Sequence, residues 1–123
     1  MNLSETKQLD FEIQFYERLL LDKKEQPEVL KLLAEAYTHR GFYKKGLEMD
    51  RLVCQLHPHD PNAHYNLACS LSLTQQLDEA FLTLEKAIQL GYRDASHLKK
   101  DKDLALLRRD PRYTQLLEKL APH

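Results

Sequence analysis

His57, His59 and His64 fall close together, and neutral imidazoles are common ligands of zinc and copper. Their setting argues against a metal. His57 and His59 flank Pro58 in a loop, His64 sits a turn into the next helical pattern, and no Cys or carboxylate completes a tetrahedral set. They are read as solvated loop residues. A second candidate is the thiol–imidazole pair Cys69 and His39. A thiol attacks only as thiolate, beside an oriented base and an oxyanion site, and the surrounding sequence signals neither. No glycine-rich phosphate loop, G-x-S-x-G or H-E-x-x-H run occurs. No catalytic, cofactor-binding or metal-binding residue is therefore assigned, and the chain is read as a non-enzyme.

The elements that would position such residues follow from composition. The 123 residues are 42% hydrophobic and 30% charged, the balance of a folded domain rather than a disordered one. Three glycines and five prolines leave few places for tight turns, which favours long helices. A formal charge of -1 lacks the basic surface that nucleic acid requires. The locally basic stretch 93–112 is mixed in sign, seven cations against four anions, and is read as solvated surface. No apolar run is long enough to cross a membrane, and the start MNLSETKQLDFEIQ lacks a basic segment followed by an apolar one. Cys54 and Cys69 form no CxxC, and reduced thiols in a cytoplasm are the expectation.

Helical spacing is plain. Leu9, Ile13, Tyr16 and Leu20 mark a helix over 4–24, with Ser4 as its expected cap. Pro27 opens a second helix, striped by Leu30, Leu33, Ala34 and Tyr37 and stopped at Gly41. A third runs from about Tyr43 to His57. The pattern then recurs at an offset of thirty-four residues: Pro27 falls on Pro61, Leu33-Ala34 on Leu67-Ala68, Leu47 on Phe81, and the small Gly46 on Ala80. Asp60 caps the second copy, and its second helix spans about Leu77 to Leu90 and closes at Gly91. A fixed period of this length marks stacked units that bury their apolar faces against one another.

Helix pairs reading L-A-x-x-Y…G and L-A-x-x-L…A resemble the tetratricopeptide repeat over Pro27–Leu90, about half the chain. The tail D-K-D-L-A-L-L-R-R-D-P-R-Y-T-Q-L-L is similar to the ending of small stand-alone bacterial members of that family. The resemblance implies an all-α fold, a short right-handed superhelix of antiparallel helix pairs in a single domain. It comprises an N-terminal half-repeat (4–24), repeat 1 (27–60), repeat 2 (61–94) and a degenerate third repeat with a cap (95–121). A third copy fails where Asp101-Lys102 replaces the apolar pair, so the chain must bend there. Asp110 and Pro111 open a last helix, striped by Tyr113, Leu116, Leu117 and Leu120.

The resemblance also implies a concave groove lined by the first helix of each repeat, serving as an interaction module or scaffold for a protein or peptide partner. Glu28, Lys31, Glu35, Thr38 and His39 would face it from repeat 1, with Asn62, Tyr65, Asn66, Cys69, Ser72 and Leu73 from repeat 2. Lys99 and Lys100 would close the far end. Some relatives grip a peptide carboxylate with two Lys, two Asn and an Arg. The matching positions here are Lys31, Glu35, Asn66, Ser96 and Lys100, and the negative Glu35 disfavours that clamp. A mixed polar groove for an extended or helical peptide is the expectation. No nucleic acid, membrane or cofactor is expected. Other readings are an assembly subunit, or a small chaperone for secreted substrates.

The first helix aligns with the second helix of each repeat. Phe11, Phe15 and Leu19 form a second stripe, about 140° from the first at ~100° per residue. Their counterparts are Lys45 and Glu79, Met49 and Thr83, and Val53 and Ala87, so the two phenylalanines stand where the other copies are mostly polar. Burying two Phe side chains is worth roughly 3–6 kcal/mol, so a cover is expected. The candidates are a second copy of the chain, a partner's helix or strand, or residues elsewhere in this chain.

Overall fold

A computed structural model describes residues 1–120. The last position of the expected 95–121 cap, Ala121, lies outside them. The described residues form α1 (Leu3–Asp22), α2 (Pro27–Arg40), α3 (Tyr43–Leu56), α4 (Pro61–Leu73), α5 (Leu77–Gln89) and α6 (Ala95–Lys100). A 3-10 turn (Lys102–Leu104), α7 (Ala105–Arg108) and α8 (Arg112–Leu120) follow. Among these residues the fold is all-helical, with no strand. None of these helices is long and apolar enough to cross a membrane.

Helices α1 to α5 each pack on the next. The connections between α2 and α3 and between α4 and α5 are only a few residues long, so each pair runs antiparallel. Helix starts obey local chemistry. Asp60 accepts the Asn62 N–H ahead of Pro61, and the Asp110 carboxylate accepts the Arg112 N–H at 2.9 Å. Helix α1 differs from expectation. It is capped by Asn2, which accepts from the Glu5 N–H at 2.8 Å, because the chain is already helical at Leu3 and Ser4 therefore lies within the helix.

Helix ends repeat as faithfully as the stripes. At Gly41 (φ 89°) the chain turns left-handed, and the Phe42 N–H reaches back to the Tyr37 carbonyl at 2.8 Å. Thirty-four residues on, Gln75 takes the same conformation (φ 63°) and the Gln76 N–H bonds the Leu71 carbonyl at 2.9 Å. Gly91 closes α5 in the same way, with the Tyr92 N–H on the Ala87 carbonyl.

The core runs continuously from α2 to α8. Leu33, Leu71, Leu84, Leu98, Leu104 and Leu107 are almost wholly enclosed, and full burial of each is worth roughly 1.5–3 kcal/mol. A smaller cluster joins Ile13 of α1 to Leu33, Ala36 and Tyr37 of α2, with Leu9, Tyr16 and Leu20 packed against it. Ion pairs brace neighbouring helices. Arg51 of α3 grips Glu79 of α5 through two bonds of 2.6 and 3.0 Å, and Arg40 of α2 meets Asp10 of α1 at 2.8 Å.

Small residues set the helix spacing. A Cβ on Gly46 would stand 2.7 Å from Thr38 Oγ1 and 3.3 Å from the Ala34 carbonyl. The second copy solves the same contact with one methyl moved across it. Ala80 replaces Gly46, and the smaller, fully buried Ser72 replaces Thr38.

The tail does not continue the period. Helix α6 stops at Asp101, whose extended backbone (ψ 115°) turns the chain into the 3-10 segment. That segment and α7 pack on α4, and α8 packs on α5. Tyr113, Leu116 and Leu120 of α8 are buried as the stripe requires, with Leu117 partly so. Arg112 lies over the Phe81 ring at 4.4 Å and pairs with Asp78 at 2.8 Å.

Candidate functional site

Helical geometry places residues three and four apart on one face, so Lys31, Glu35, Thr38 and His39 project from α2 into a common space. Tyr65, Asn66 and Cys69 do the same from α4, and the two sets face one open cleft of about 660 Å³. Asp50 and Tyr43 of α3 contribute from below. The returning tail supplies the far wall through His97, Asp101, Lys102 and Asp103.

The cleft does not take every expected residue. Asn62, Glu28, Lys99 and Lys100 are exposed and do not line it. Ser72 is fully buried on α4 rather than presented to the cleft. Leu73 lines a separate hollow beside Phe42 and Tyr43. Of the carboxylate-clamp positions, Lys31, Glu35 and Asn66 come together, while Ser96 and Lys100 do not; the kink at Asp101 brings Lys102 in instead. Lys31 is itself 3.7 Å from Glu28.

Charge in the cleft is mixed and partly buried. Asp50 is only 8% exposed, and among the described residues its one hydrogen-bond partner is the Ser70 hydroxyl, which donates at 2.5 Å. Burial with no cation beside it lifts this carboxyl to about 7, against a slight lowering by Ser70. Asp101 accepts the Tyr65 hydroxyl at 2.7 Å and the Cys69 thiol at 3.6 Å. Asp103 is raised by burial and then by the charge of Asp101, with Lys102 and His39 opposing. Burial, then Asp101, drives the Cys69 thiol strongly upward, so it stays protonated and is a poor nucleophile.

No family model matches this chain. It is similar to a chloroplastic protein of Arabidopsis thaliana, with 31% identity over 85 residues. That alignment covers 67% of this chain and 25% of the plant protein, so the chain spans about a quarter of the length of the relative it matches.

Two signals for the missed residues were present in the sequence. Asp50 occupies the position where the second copy carries the core residue Leu84, a carboxyl in an apolar register. Asp101 and Lys102 stand where the period demands an apolar pair, and that break is what turns the tail into the cleft. The loop histidines are not assembled. His57 and His59 are exposed, and His64 Nε2 donates to the Pro58 carbonyl at 2.8 Å.

On α1, Phe11 is 65% exposed, Phe15 50% and Leu19 38%. The described residues of this chain leave the second stripe largely uncovered.

Proposed function

We propose that the chain is a short tetratricopeptide-like superhelix that acts as a protein-interaction module rather than an enzyme. Its partner is a peptide or helix seated between α2 and α4. One observation carries this reading: faces related by the thirty-four-residue offset converge, with the tail, on a single open cleft of about 660 Å³. Support for the superhelical part comes from equivalent positions doing equivalent jobs, Gly41 with Gln75 and Gly46 with Ala80. Support for the non-enzymatic part comes from the protonated, buried thiol of Cys69. Lys31, Glu35, Thr38 and Asn66 would meet the partner's polar groups, with Tyr65 and Cys69 forming the floor.

Site-specific photocrosslinking tests it. A photoreactive residue at Asn66 or Glu35 should crosslink one recurring peptide segment, and Lys31→Glu should remove that product. Equal yields from Gln55, an exposed position on α3, would overturn the proposal.

A second reading is favoured by the uncovered Phe11 and Phe15: α1 as an assembly surface joining two copies of the chain. Sedimentation equilibrium separates the two readings. A dimer that dissociates in Phe11→Glu/Phe15→Glu supports the assembly surface, and a wild-type monomer sinks it.

A further inference from the structure

On the floor and far wall of the cleft, helix α4 and the tail bring together groups whose chemistry goes beyond polar contacts with a peptide. Cys69 Sγ, a carboxylate oxygen of Asp101 and one of Asp103 all lie within 4.8 Å of one another. His97 Nε2 stands 3.4 Å from Asp101 Oδ2 at the rim. A tetrahedral zinc ion bound at about 2.3 Å to sulfur and about 2.0–2.2 Å to oxygen holds its ligands roughly 3.3–3.8 Å apart. The three protein atoms therefore need to close by at most about 1.5 Å. His97 already has that spacing from Asp101.

An independent observation points at the same place. The Tyr92 ring lies flat against Tyr65, centroids 4.4 Å apart and planes 5° from parallel. Tyr92 is 7% exposed, and its buried hydroxyl meets no hydrogen-bond partner among the described residues by distance and angle. Burial lifts this hydroxyl to about 12, the neighbouring Tyr65 hydroxyl opposes the rise, and Asp94, Cys69 and Asp101 add to it, so it lies beside the Tyr65–Asp101 contact. An unpartnered buried hydroxyl there is suited to a metal-bound water. The Tyr65 hydroxyl, already donating to Asp101 at 2.7 Å, would fix that carboxylate from behind.

We propose that Cys69, Asp101 and Asp103 bind one divalent ion of the zinc and cobalt class, with water or His97 in the fourth position. On binding, the Cys69 S–H releases its proton to solvent and the sulfur–metal bond forms, while the carboxylates coordinate as anions. One thiolate among oxygen ligands selects zinc, cobalt or cadmium over magnesium and calcium. The ion joins α4 to the turn after α6, so it staples the tail that forms the far wall of the cleft.

The reduced full chain is titrated with Co²⁺, followed by thiolate-to-cobalt absorption in the near ultraviolet, and with Zn²⁺ by calorimetry. The expected result is one ion per chain, a thiolate band that persists in Cys54→Ala and vanishes in Cys69→Ala, and a melting temperature that rises with Zn²⁺. Asp103→Asn should weaken Zn²⁺ at least about tenfold, while His57→Ala/His59→Ala should leave it unchanged. Far-ultraviolet circular dichroism verifies that each variant folds. If Cys69→Ala does not fold, Asp103→Asn decides, and unchanged affinity there overturns the site. Absence of a thiolate band in the folded wild type, or binding lost only with the loop histidines, overturns it equally.

Discussion

Replacing Asp50 with Asn should stabilise the protein at neutral and alkaline pH and leave it nearly unchanged near pH 4. The carboxyl has a folded value of about 7, against an ordinary 3.8. A raised acid binds its proton more tightly in the fold than in the unfolded chain. Stability is therefore highest below pH 3.8, falls as pH rises through the interval up to 7, and is flat above it as far as this group is concerned. The full difference is (7 − 3.8) × 1.36, or ~4 kcal/mol, which is the upper limit of what ionising Asp50 removes from the fold. Asn keeps an oxygen for the Ser70 hydroxyl and carries no charge, so Asp50→Asn should recover ~2–4 kcal/mol at pH 8. Urea unfolding of both proteins at pH 4, 6 and 8, read by far-ultraviolet circular dichroism, measures it. A difference that does not grow with pH, or an Asn variant less stable at pH 8, refutes the reasoning and requires a cation beside Asp50 in the folded chain.

Gly46→Ala alone should lose about 1–2 kcal/mol, overpacking against Thr38 outweighing the gain in helix propensity, and Thr38→Ser should restore most of it by reproducing the Ser72–Ala80 pair; double-mutant thermal melts show the coupling. Gln75→Gly should raise stability by about 0.5–1 kcal/mol, because the residue holds φ 63° without need of its side chain, and a lower melting temperature contradicts this. Leu84→Ala should cost about 2–5 kcal/mol at 1% exposure, whereas Leu82→Ala at 68% exposure should stay within about 0.5 kcal/mol, a contrast read from denaturant midpoints. At pH 7.5 iodoacetamide should leave both thiols of the native protein unmodified, since burial lifts Cys54 to about 11 and Cys69 further still; mass spectrometry after brief exposure detects any adduct.

Helix positions were legible in the sequence because their punctuation is local. Pro27 and Pro61 can start a helix without losing a hydrogen bond, and Gly41 can end one left-handed, so a few residues decide each boundary. The α2 and α4 faces of the cleft followed from the same periodicity. Its far wall did not. Whether Lys100 or Lys102 enters the cleft depends on the backbone angle at Asp101, and that is settled by where Leu98, Leu104 and Leu107 find room in a core built by residues thirty and more positions earlier. Cap choice at the first helix was ambiguous for a related reason. Asn2 and Ser4 are both competent caps, and only the helical conformation of Leu3 and Ser4 selects the former.

The two copies diverge where a repeat built only for stacking would not. Their left-handed turns and small contacts fall at matching positions, as do Leu33 and Leu67, and packing alone would favour Leu at both 50 and 84. The first copy instead holds a carboxyl there, its one bond coming from a serine, at a place that lines the cleft. A group that weakens the fold at neutral pH while facing a cavity breaks the local rule at a site open to a ligand, and such breaks are expected to concentrate at functional positions. The same holds for Asp101 and Asp103, which end the periodic stacking and add charge to the same space. Restoring the periodic residue should therefore separate folding from binding. Asp50→Leu should yield a chain at least as stable at pH 8 as the wild type, yet with reduced photocrosslinking from Asn66. A stable Asp50→Leu protein that crosslinks its partner undiminished would show that the buried carboxyl has no part in the cleft's work.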